Sequence, residues 1–139
     1  PYSVDLFSCA AALVALKHMD VWQRRVRAVI SERERVLDRL REMTWVRPYP
    51  SAGNFILFDL NGDRRQVFRG LLARGVLVRD VGRSGPLARS LRVTIGTPAE
   101  NDRFLEALRA VGSSPGAGAA PAGAEAGETG GTAEDASSH

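Results

Sequence analysis

The last large apolar residue in the chain is Val111. From Gly112 to His139 there is no Val, Ile, Leu, Met, Phe, Tyr or Trp, and seven of the 14 glycines sit there among Ala, Ser, Glu and Pro. Such a stretch has no apolar surface to offset the entropy of ordering it, so residues 112–139 read as a disordered low-complexity tail. All burial must come from residues 1–111. That length supports one core of ordinary size and excludes two separately folded domains.

Charge divides at the same place. Every Lys and Arg precedes position 112, while Glu125, Glu128, Glu134 and Asp135 lie in the tail; the folded part keeps 19 basic against 12 acidic side chains, a charge of +7. Lys17 is the sole lysine. An arginine bias this strong follows base composition as readily as function, and no basic stripe interleaved with aromatics appears, so nucleic acid is not the expected partner. Cys9 is the only cysteine, which excludes an internal disulfide and any multi-cysteine metal site and fits a reducing, cytoplasmic setting. No apolar run approaches the ~18 residues of a membrane span, and no export signal is visible. The chain starts at Pro1 without Met. This suggests a sequence that begins inside a larger one.

The apolar period predicts helices first. Asp5–His18 is an alanine-rich helix with Leu6, Ala10, Leu13, Val14 and Leu16 as packing positions, and Val21–Met43 is a long amphipathic helix buried through Trp22, Val26, Val29, Ile30, Val36, Leu37, Leu40 and Met43. The period then shortens. Strands are expected at Trp45–Tyr49 and Asn54–Leu60, a helix at Arg64–Arg74 closed by Gly75, strands at Val76–Val81 and Ser90–Ile95, and a final helix from the capping box Thr97-Pro98-Ala99-Glu100. Short turns between consecutive strands imply antiparallel pairing. The expected class is α+β, a small, mostly antiparallel sheet covered on one face by helices.

Two arginines stand out. Leu77, Arg79 and Val81 share one face of the third strand, while Arg92 alternates with Leu91 and Val93 in the fourth. If these strands are neighbours, two guanidinium forks converge on one side of the sheet, an arrangement suited to a doubly charged anion. Alternation alone leaves open that each arginine pairs with an acid such as Asp80 or extends into water.

The blocks Gly75-Val-Leu-Val-Arg79-Asp80 and Leu91-Arg92-Val-Thr-Ile-Gly96-Thr-Pro-Ala-Glu100-Asn101, with Ser51-Ala-Gly-Asn54-Phe55 and Pro1-Tyr2 upstream, resemble the C-terminal part of histidinol-phosphate aminotransferases, which are pyridoxal-phosphate enzymes of fold type I. The resemblance covers residues 1–111. It implies the substrate-clamping small domain of an aminotransferase that transfers an amino group between histidinol phosphate and 2-oxoglutarate in histidine biosynthesis. It also implies that Arg92 binds the substrate carboxylate or phosphate in alternate half-reactions, that Arg79 assists with the phosphate, and that the parent is a homodimer. This chain has Ser3 and Gly53 where the family often has Asn and Ala, so a related aminotransferase acting on aromatic amino acids, or an enzyme acting on threonine phosphate, stays open. A non-catalytic anion- or protein-binding module is the alternative outside that superfamily.

Transamination needs a lysine to hold pyridoxal phosphate, and the resemblance places it upstream in a larger domain within a Ser-Lys block absent here. Lys17 sits outside any matching motif and reads as a helix C-terminal charge. The expectation is therefore a chain without catalytic residues of its own, inactive alone, whose cofactor is bound by the parent's remaining domain. Asn54 and Asn101 read as structural amides.

Overall fold

The period change near residue 44 separates a helical N-terminal half from a sheet. The computed structural model, which describes residues 5–82 and 85–112, bears this out. The elements are α1 (Leu6–Lys17), α2 (Met19–Arg41), β1 (Val46–Pro48), β2 (Phe55–Leu60), α3 (Arg64–Leu72), β3 (Arg79–Asp80), a single 3-10 turn (Gly85–Leu87), β4 (Ser90–Thr94) and α4 (Pro98–Gly112). The tail expected beyond Gly112 lies outside the described residues.

Local chemistry sets most boundaries. Asp5 caps α1 by accepting from the Ser8 N–H, and Asp63 caps α3 by accepting from Arg65 and Gln66. Gly75 takes a left-handed φ of 73° after α3, where a side chain would be strained. At α4 the Thr97 and Glu100 side chains close the reciprocal capping box, with Thr97 N–H donating to Glu100 at 2.7 Å.

The four strands run in the order β1-β2-β4-β3, every neighbouring pair antiparallel. Ile56, Phe58 and Leu60 of β2 and Leu91 and Val93 of β4 turn one face toward Val36, Leu37 and Leu40 of α2, Val67 and Leu71 of α3, and Phe104, Leu105 and Leu108 of α4. The α+β class with helices on one face is thus observed. β3 is shorter than the expected Val76–Val81. On leaving Gly75 the chain stands off from β4, and a hollow lined by Val76, Leu77, Val93, Thr94 and Phe104 opens between them in place of ladder hydrogen bonds.

One part of the expected core is corrected. Every residue of α1 is exposed, Leu6 and Phe7 at 82% and 86%, and on the first half of α2 Trp22 and Ile30 are exposed while Val26 and Val29 are only half-buried. The reason is reach: the fully buried apolar positions of α2 begin at Val36, with only Val29 packed against the core before them, and among the described residues no core residue lies under α1. A helix apolar on all sides is ordinarily enclosed by protein.

Candidate functional site

The ladder between β2 and β4 fixes which way Arg92 faces. Ile56 opposes Val93 and Phe58 opposes Leu91 on the core face, so Arg92, opposite Leu57 between them, must project from the other face. β3 then adds Arg79 directly opposite Arg92. The two arginines singled out by alternation share one face, as neighbours across a ladder, on the side of the sheet away from α2, α3 and α4.

Their surroundings are unusual for an arginine pair. The Arg92 guanidinium lies over the Phe55 ring, with Cζ 5.0 Å from the ring centroid, and its Nε is buried without a hydrogen-bond partner. Arg79 is exposed and has no carboxylate within ion-pair distance among the described residues. Asp80, the acid nearest in sequence, is not available to it: Asp80 opposes the core residue Leu91 and forms an ion pair with Arg64 at the start of α3, whose Nε also donates to the Ala88 carbonyl. Two like charges directly opposed on a sheet repel each other and destabilise it. A dianion set between the forks would reverse the sign of that interaction.

One row away on the same face, Asp59 accepts hydrogen bonds from the Tyr49 hydroxyl at 2.6 Å and from Ser90, and Arg47 lies over the Tyr49 ring. The hydrogen bond to Asp59 pushes the Tyr49 phenol above its ordinary value, because ionising it would set two anions together. Sequence reasoning did not single out this network, though the alternation of Phe55, Leu57 and Asp59 already put all three on Arg92's face.

The other residues weighed from sequence fall away from the pair. Asn101 is 3% exposed and ties α4 to the end of β4 and to α2: its Oδ1 accepts from Gly96 N–H, and its Nδ2 donates to the Gly96 carbonyl and Glu32. Asn54 engages through its backbone carbonyl, which accepts from Ile95 N–H at 2.8 Å. Lys17 stands exposed in the last turn of α1, on a helix with no buried residue. Pyridoxal phosphate held through a lysine needs that amine in an enclosed, polar setting, so the residues described here do not fit the cofactor. Among the described residues no group of three or more His, Cys, Asp or Glu could hold a metal ion.

No family model matches the chain. Individual relatives do. It is 44% identical over 112 residues to the histidinol-phosphate aminotransferase of Methylibium petroleiphilum, covering 80% of this chain and 30% of that protein. It is 48% identical over 107 residues to the enzyme of the same name from Corynebacterium efficiens, covering 77% and 27%. Among solved structures, histidinol-phosphate aminotransferase from Sinorhizobium meliloti in complex with pyridoxal-5'-phosphate superposes with a TM-score of 0.66 at 29% identity, over 75% of this chain and 29% of that one. The chain thus spans under one third of the length of the curated relatives it matches. Across more than three quarters of its residues the chain thus matches one part of histidinol-phosphate aminotransferases, at 44% and 48% identity to the two curated relatives and with the same fold as that part of a solved enzyme.

Proposed function

We propose that residues 1–111 form the substrate-clamping small domain of a pyridoxal-phosphate-dependent aminotransferase, with Arg79 and Arg92 gripping the anionic end of the substrate. The observation that carries this reading is the direct opposition of the two arginines on the open sheet face, with neither in an ion pair among the described residues while Asp80 is taken by Arg64. Histidinol phosphate offers a phosphate and 2-oxoglutarate a carboxylate, and a pair of guanidinium forks accepts either without rearranging the fold. The two substrates take turns at one reacting carbon. A shared anion grip therefore suits the exchange.

The cofactor belongs, in this reading, to polypeptide the relatives carry beyond the shared span, and supplies the electron sink for amino transfer. What this chain contributes is binding, orientation and, as the open face closes against that polypeptide, exclusion of water. The exposed apolar surface of α1 and Trp22 supports a further body packed there. A homodimeric, cytoplasmic parent completes the proposal.

Inorganic phosphate titrated into the purified chain tests the grip. Saturable binding that disappears in Arg92→Ala and Arg79→Ala supports it, and identical titrations for the three proteins sink it. The chain with pyridoxal phosphate, histidinol phosphate and 2-oxoglutarate should show no turnover; measurable turnover would refute the division of labour.

A further inference from the structure

Arg92 is a single flexible side chain asked to present a planar fork in one orientation. The Phe55 ring lies 5.0 Å from its guanidinium, while its buried Nε finds no acceptor among the described residues. Phe55 sits two residues along β2 from Leu57, the residue opposite Arg92, so the ring must lean diagonally to reach it. What lets it lean is position 53. A Cβ built on Gly53 would stand 3.1 Å from Phe55 Cε1, tighter than an ordinary contact, and 3.4 Å from Cδ1, so an alanine would press the ring's edge by a few tenths of an ångström. Gly53 is itself fixed at both ends: its carbonyl accepts from Nη1 of Arg33, a nearly buried residue of α2, at 3.1 Å, and its N–H donates to Ser51 Oγ at 3.2 Å.

We propose that Gly53 and Phe55 are positioning residues for Arg92: the turn pinned to α2 by Arg33 seats the Phe55 ring, and the ring holds the Arg92 fork flat and aimed at the anion. The inference rests on the anion-grip reading above for what the fork binds, but the seating of Arg92 can be read without any anion.

Two measurements on the full chain separate these. The first is the Arg92 Nε–H resonance in a proton–nitrogen spectrum. With the ring beneath it, it should lie upfield of the other arginines and exchange slowly; Phe55→Leu should move it to the common position, Phe55→Tyr should keep it, and Gly53→Ala should give an intermediate shift. An Arg92 resonance unchanged in Phe55→Leu overturns the positioning role. The second is phosphate affinity, which Phe55→Leu should weaken about three- to tenfold, with Phe55→Tyr restoring it. Loss of the spectral signature in Phe55→Leu with unchanged phosphate affinity overturns the claim that the seating serves binding. Absence of phosphate binding in the unmodified chain defeats the grip reading while leaving the seating to be judged by the spectrum. Backbone spectra of each variant that overlay the original away from residues 51–57 and 90–94 show that the fold is intact.

Discussion

Arg79 and Arg92 stand directly opposite one another across the β3–β4 ladder, both on the face of the sheet turned away from the helices. Position and charge pull in opposite directions there, since a facing pair of cations costs stability and gains nothing until a negative group arrives.

That conflict makes the first prediction. Arg79→Glu should turn repulsion into attraction and raise the unfolding free energy by about 0.2–1 kcal/mol, near the low end because Arg79 is exposed, while removing phosphate binding. Urea denaturation and a phosphate titration check both halves. A less stable Arg79→Glu protein would mean that the arginine holds the fold rather than a ligand.

Acid stability should depend on Glu32. Hydrogen bonds from Arg35, and next from Asn101, hold its carboxyl below the ordinary value of 4.5. A folded-state value depressed below the unfolded one adds stability that is complete well above 4.5 and is lost as pH falls through the lower folded value. Glu32→Gln should therefore flatten part of the decline in urea midpoint measured from pH 6 to pH 3. The carboxyls of Asp5 and Glu100, also held low by their capping hydrogen bonds, leave a residual slope.

Asn101→Ala should lower stability by about 2–3 kcal/mol, because it strips partners from the Gly96 N–H and carbonyl and from Glu32 at a buried site. Its thermal midpoint should fall by several degrees. Phosphate affinity should stay the same, which distinguishes this amide from the arginines.

Trp22→Ala should cost no more than about 0.5 kcal/mol in this chain, since the indole is 54% exposed. Phe58→Ala, which empties a fully buried site packed on Phe104, should cost about 3–5 kcal/mol. Equilibrium urea curves for the two variants should differ accordingly, and equal losses would show that the first half of α2 is packed after all.

Cys9, exposed on α1, should react with a maleimide under native conditions as fast as it does in the urea-unfolded chain, with no unfolding step. A chain lacking residues 1–17 should unfold with a free energy within about 1 kcal/mol of the original, because no α1 residue is buried.

Much of this was legible in the amino-acid order. The Thr97–Glu100 box and the Gly75 stop are short-range devices, each decided by atoms a few residues apart, and both appear where the chemistry required; the caps that Asp5 and Asp63 supply are equally local. The parity of Arg92 against Leu91 and Val93 is equally local, because a strand alternates faces whatever it pairs with.

Adjacency is not local. That β4 lies between β2 and β3, that Arg79 meets Arg92 rather than a residue one step along, and that Asp80 is taken by Arg64 all depend on ladders and contacts between segments distant in sequence. Periodicity gave α1 packing positions, but it records how apolar a helix is and not whether a partner is in reach; within the described residues the core reaches α2 from Val29 onward and does not reach α1. The sequence by itself determined which elements form, the start of α4 and the Gly75 stop, and the parity of each arginine against its strand neighbours, but not the length of β3. Tertiary structure decided that the two arginines face each other, because register is set by cooperative hydrogen bonding and core packing summed over the whole sheet, which no single stretch of residues encodes.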